Sequence, residues 1–120
     1  MILADTSVWV DHLRSRDDAL ANLMRTEIVL MHPFVMGELA LGHLSPRERT
    51  FADLRKLVSA RVAADEEVRG LIESERLFGT GIGYVDAHLL ASARLTPGSS
   101  LWTRDKRLHS VAVKLGIAKS

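Results

Sequence analysis

The sequence contains no cysteine, which excludes a disulfide framework, a thiolate zinc site and a cysteine nucleophile, and fits a reducing compartment. Only three of its 120 residues are proline and it has no long polar tract, so disorder is not expected. No apolar run approaches the roughly 18 residues of a membrane-spanning helix, and no basic segment precedes the first apolar one. Neither export nor anchoring is expected, and cytoplasm is the expected location. Nor does one sign of charge dominate: 16 Lys and Arg stand against 15 Asp and Glu, a net charge of +1. Bulk charge therefore neither demands nor excludes a polyanionic partner, and the placement of the charges must decide.

What is present is the make-up of a folded domain, 47% hydrophobic and 26% charged. The length suits a single domain over residues 1–120 with one modest core. "MILADTS" reads as a short strand, 1–4, that stops on Asp5 with N-cap chemistry and turns into a helix. A helix restarting at Arg16 and Asp17 and a second strand at 27–31 follow. Pro33 opens a helix to about Leu41, ended by Gly42. Ser45 and Pro46 open another to about Leu57, with Phe51, Leu54, Leu57 and Val58 on its apolar face. A short third strand is expected within 59–64, and a helix over 65–78 that "GTGIG" stops. Helix 85–95, strand 100–103 and a last helix from Asp105 to about Leu115, stopped at Gly116, complete the chain. This alternation predicts an α/β fold: a short, mostly parallel central sheet flanked by helices on both faces.

Four carboxylates stand out against that frame. Open parallel sheets bind ligands beyond the carboxyl ends of their strands, where Asp5 and Asp105 are expected. Glu38 is i+4 from Phe34, i+3 from Val35 and i−3 from Leu41, inside the apolar stripe of its helix. Buried there unpaired, it would cost several kcal/mol as an order of magnitude. Asp86 shares a helix face with Leu89 and Leu90. Each has a plain structural explanation: N-caps for Asp5 and Asp105, a buried ion pair for Glu38, a first-turn acid favoured by the helix dipole for Asp86. Together they form a cluster that like-charge repulsion opposes and a divalent cation would compensate. All-oxygen donors point to Mg²⁺ or Mn²⁺. Without metal, removing the Asp5 charge is then expected to stabilise the fold.

The stretches "LADTSVWVDHLR", "FVMGELALG", "GIGYVDAHLLASAR" and "LWTRDKRL", in that order, resemble the PIN-domain ribonucleases, in particular the small VapC-type toxins of bacterial toxin-antitoxin pairs. The resemblance spans nearly the whole chain and implies a single PIN domain. It also implies that Asp5, Glu38, Asp86 and Asp105 are the catalytic, metal-binding quartet, with Thr6 and Thr103 as supporting hydroxyls. The implied activity is Mg²⁺-dependent endoribonuclease action, in which a metal-activated water attacks a phosphodiester and leaves a 5′-phosphate and a 3′-hydroxyl. A VapB-type antitoxin bound near the acids and a homodimer are the implied partners. Arg104, Lys106 and Arg107 flank Asp105, and Arg14 and Arg16 end the helix that Asp5 starts. Such residues hold RNA by its phosphates without reading sequence; as a solvated charge face they would need no ligand.

Other features carry less. "GTGIG" follows a helix rather than a strand and lacks the P-loop lysine and the dinucleotide fingerprint, so it reads as a turn before the Asp86 helix. Only His109, i+4 from Asp105, is spaced to attend the site. Trp9 and Trp102 read as core residues. A strand ending in Asp also begins haloacid-dehalogenase-type phosphatases, but these need a second acid where Ser7 stands. A metal-free PIN-like scaffold that binds RNA or protein without cutting is the non-enzymatic alternative.

Overall fold

The computed structural model describes residues 1–15 and 18–119. Among these, strands and helices alternate as β1 (Ile2–Ala4), α1 (Thr6–Ser15), α2 (Asp18–Leu23), β2 (Val29–Met31), α3 (Pro33–Ala40), α4 (Arg47–Leu54), β3 (Val58–Ser59), α5 (Asp65–Ser74), α6 (Tyr84–Leu95), β4 (Ser100–Trp102) and α7 (Lys106–Lys114). The strands form one all-parallel sheet in the order β3-β2-β1-β4. Leu3 is paired with Leu30 on one side and Leu101 on the other, and all three are buried. Short, wholly apolar and buried strands such as β1 and β2 need cover on both faces of the sheet.

Strand order determines where that cover lies and where the site opens. The chain steps from β1 to β2 to β3 in one direction, then returns past β1 to β4. Right-handed crossovers therefore put α1 to α4 on one face, and α5 and α6 on the other. The packing agrees: α1 touches α2 and α3, while α5 packs on α6, which reaches β4. Between β1 and β4 the direction of travel reverses, leaving a crevice beyond their carboxyl ends. Asp5 follows β1 and Thr103 follows β4, so both lie at the mouth of that crevice.

Three elements end three or more residues short of the sequence expectation. The third strand is Val58–Ser59, which meets the expected 59–64 stretch only at Ser59. The helix before it stops at Leu54, so Leu57 and Val58 never share its face. Helix α5 stops at Ser74 rather than Phe78. Arg76 adopts φ 55, and Leu77 N–H donates to Ile72 O at 2.9 Å while Arg76 N–H donates to Glu73 O at 3.3 Å. This is the paired-bond helix stop usually built on glycine, and it turns Leu77 into the core while Phe78 stays exposed. Finally, Ala118 pairs in parallel with Leu101, and Lys119 N–H donates to Leu101 O at 2.9 Å, so the chain end covers the outer edge of β4.

Candidate active site

Asp5 is 5% exposed and held on both carboxylate oxygens. Oδ1 accepts from Ser7 Oγ at 2.6 Å and from Val8 N–H at 3.2 Å, which caps α1. Oδ2 accepts from Thr103 Oγ1 at 2.5 Å. Thr103 Oγ1 accepts in turn from Asp105 N–H at 3.0 Å, and Ser7 Oγ from Arg104 N–H at 3.1 Å. Two hydroxyls thus lock the loop after β4 to the carboxylate after β1. The sequence places Ser7 in the N-cap chemistry after β1, but its link to Arg104 comes from the fold. Three donors on one carboxylate also compensate its burial, which corrects the expectation that Asp5 strains the metal-free fold.

Glu38 requires a second correction. It is exposed, because α3 packs through Val35 and Leu39, while Phe34, Glu38 and Leu41 face outward. Leu41 is 90% exposed, so the apparent apolar stripe around Glu38 is a surface and the burial cost invoked for it does not arise. Its Oε1 accepts from Thr6 Oγ1 at 2.5 Å, which draws it toward the start of α1. Each threonine therefore holds one acid.

Asp86 lies in the first turn of α6 and accepts from Gly83 N–H at 3.2 Å through Oδ2. Its carboxyl is pushed above the usual range, first by burial and then, against the pull of the Gly83 N–H, by the charges of Asp105, Asp5 and Glu38. All four acids therefore share one electrostatic neighbourhood. Asp105 caps α7, accepting from Leu108 N–H at 2.9 Å, as the plain reading of that residue expected. Among the described residues, no three His, Asp or Glu side chains stand close enough together to hold a metal as they are oriented. The donor set is nonetheless all oxygen, and the crowding felt by Asp86 is the kind that a hard cation relieves. Mg²⁺ keeps several waters and needs only a few carboxylates directly, so the residues fit such an ion.

The basic residues divide. The Arg14 guanidinium lies against Gly42, whose added Cβ would meet Nη2 at 3.2 Å. Arg104 pairs with Asp11 at 3.3 Å and lies over the Trp102 ring at 5.6 Å, as Lys119 does at 5.0 Å. Lys106 and Arg107 line a groove along α7. Arg16 lies outside the described residues. Trp9 is a core residue as expected, whereas Trp102 is only half-buried.

A second cluster joins two histidines whose spacing along the sequence does not pair them. His32 is fully buried and caps α3 by accepting from Phe34 N–H at Nδ1, 2.9 Å away. Burial, reinforced by His88, lowers its pKa to about 4. His88 is also buried, with Nε2 3.1 Å from Asp65 Oδ1, and the exposed Phe34 and Tyr84 rings lean on it with centroids at 4.6 and 4.7 Å. His109, the expected attendant, is exposed on α7.

The sequence profile of the PIN domain family matches residues 2–114. The chain is 44% identical over 118 residues to Ribonuclease VapC32 of Mycobacterium tuberculosis, in strains CDC 1551 / Oshkosh and H37Rv alike, with 98% of this chain and 95% of each relative covered. The crystal structure of FitAcB from Neisseria gonorrhoeae superposes with a TM-score of 0.63 over 98% of this chain and 95% of that one, at 19% identity, a likeness of fold.

Proposed function

This chain belongs to the PIN-domain family as a VapC-type ribonuclease, and from that premise we propose that it is a divalent-metal-dependent endoribonuclease, the toxin of a toxin-antitoxin pair. The observation that carries the reading is Asp86, whose carboxyl feels Asp105, Asp5 and Glu38 at the switch point of the sheet. Asp5, Glu38, Asp86 and Asp105 are the residues that would hold Mg²⁺ or Mn²⁺. When bound, such an ion supplies Lewis acidity, making a coordinated water acidic and offsetting charge at phosphorus.

The chain's own groups then divide the remaining work. Asp5, fixed on both oxygens, is the immobile member, and Thr103 fixes both its orientation and the backbone at Asp105. Glu38, exposed and held by one hydroxyl, is free to reorient as substrate enters. In the net reaction a water oxygen joins phosphorus, the P–O3′ bond breaks, and the water's protons end on the 3′-oxygen and in solvent. The products are a 5′-phosphate and a 3′-hydroxyl.

An antitoxin of VapB type is the proposed partner at the acids. Exposed Phe34 and Leu41 beside Glu38 suit a segment that brings apolar side chains together with an arginine. A homodimer and a cytoplasmic location complete the proposal; among the described residues no helix is long and apolar enough to cross a membrane. The test is incubation of the purified protein with end-labelled RNA in Mg²⁺ and in EDTA, with end-group analysis of the fragments. Cleavage only in Mg²⁺, leaving 5′-phosphates, is expected, and fragments ending in cyclic phosphates in EDTA would refute it.

A further inference from the structure

The glycine stretch before α6 and the basic residues of α7 meet in one place. Lys106, Arg107, Ser110, Val111 and Lys114 line, with Thr80, a groove of about 400 Å³. Three of these six residues are cations and none is an acid. Among the described residues, the side chains of Lys106 and Arg107 make no ion pair or hydrogen bond, and Lys114 donates to a main-chain carbonyl, Glu75 O, at 3.5 Å. The groove therefore holds positive charge that no ion pair among the described residues neutralises.

Gly81 explains how Arg107 is held there. It sits at φ 87, and a Cβ on it would stand 2.9 Å from Arg107 Cδ, 3.2 Å from Nη1 and 3.3 Å from Nε. The loop lies close against the Arg107 stem and one edge of its guanidinium, an approach at positive φ that suits glycine, and the guanidinium brings a planar fork of donors to the groove. Two residues on, Gly83 N–H donates to Asp86. At most about 7 Å of chain thus separates the residue that seats Arg107 from the one that holds a site carboxylate.

We propose that this groove seats a backbone phosphate of single-stranded RNA, neighbouring the phosphodiester that lies over the acids; this deepens, and rests on, the nuclease reading. Four carboxylates repel a polyanion, and a net charge of +1 does not offset them at a distance. Uncompensated cations beside the acids supply that offset locally. Guanidinium and ammonium groups flanked by the Thr80 and Ser110 hydroxyls form a donor set for phosphate oxygens, which positions a strand without reading its sequence.

The experiment is binding of a fluorescent single-stranded RNA oligonucleotide by the full chain in EDTA, where no metal-dependent cleavage occurs, across a salt series. Arg107→Ala and Lys114→Ala are each expected to weaken binding and to reduce the slope of log affinity against log salt by about 0.7. Lys56→Ala, an exposed cation paired with Asp53 on α4's side, is expected to leave the slope unchanged. Gly81→Ala should match Arg107→Ala and add little to it in the double variant. An unchanged slope in both Arg107→Ala and Lys114→Ala overturns the groove, as does a wild-type chain with no salt-dependent binding. If those variants bind like wild type while wild type still cleaves RNA in Mg²⁺, the groove alone fails. If they lose slope in a protein that cleaves nothing, the nuclease reading fails and the groove stands.

Discussion

Thr103 donates its hydroxyl to Asp5 Oδ2 across 2.5 Å, joining residues 98 positions apart in the chain at the mouth of the β1/β4 crevice. Thr103 Oγ1 in turn accepts from Asp105 N–H. One side chain therefore sets the buried acid and the entry to α7 together, and removing it should disturb both.

Thr103→Val, close in shape and lacking the hydroxyl, leaves one carboxylate oxygen and one backbone N–H without a partner. A loss of about 1–3 kcal/mol in urea unfolding is expected, with RNA cleavage falling as well. Thr103→Ser should recover most of both. A Val variant as stable and as active as wild type would remove Thr103 from the account.

Asp86 carries the opposite sign. Its pKa is raised in the folded state, so between the ordinary carboxylate value of about 4 and its folded value the folded protein binds more protons than the unfolded, and stability falls as pH rises through that window. In EDTA at pH 7, Asp86→Asn is expected to unfold at higher urea than wild type, the gap closing as the pH approaches 4. Asparagine can still accept from Gly83 N–H through its side-chain oxygen. An Asn variant less stable at neutral pH would mean that burial and the neighbouring acids do not raise Asp86.

Cation binding should reverse that order. Mg²⁺ at a hundredfold excess over its Kd stabilises a single-site protein by about 2.7 kcal/mol, a rise of several degrees in the melting temperature. The rise is expected in wild type, to be undone by EDTA, and to shrink in Asp86→Asn and Glu38→Gln. Equal shifts in all three proteins would place the ion elsewhere.

His32 gives a separate pH signature. Its folded pKa of about 4 lies below its unfolded value of about 6.5, so the unfolded chain takes up the proton first as pH falls. Stability is therefore full above about 6.5 and lost as the pH falls toward 4, by no more than about 3 kcal/mol. His32→Asn, which can still cap α3, should flatten that part of the urea-midpoint profile, and an unaltered slope would count against a neutral, buried His32.

Where the sequence carried punctuation, the elements follow it. Asp5 capping α1, Pro33 opening α3, Asp105 capping α7 and Gly116 closing it were all legible, because caps and breakers act within a few residues. The end of α5 was not, since Arg76 takes the left-handed position without glycine to announce it. The face of Glu38 was misread because a helix wheel ranks apolar neighbours without knowing which of them meet the core. Val35 and Leu39 do, whereas Phe34 and Leu41 stay at the surface. The Ser7 bridge to Arg104, the seat of Arg107 on Gly81 and the pairing of Ala118 with β4 depend on contacts that only the folded chain creates.

The most direct measurement of the central claim is the single-turnover rate of RNA cleavage in Mg²⁺ by wild type, Asp5→Asn, Glu38→Gln and Asp86→Asn, each first checked for native secondary structure by circular dichroism. The account predicts that wild type cuts and that each folded variant is slower by about a hundredfold or more. Folded variants that cut at the wild-type rate would contradict it.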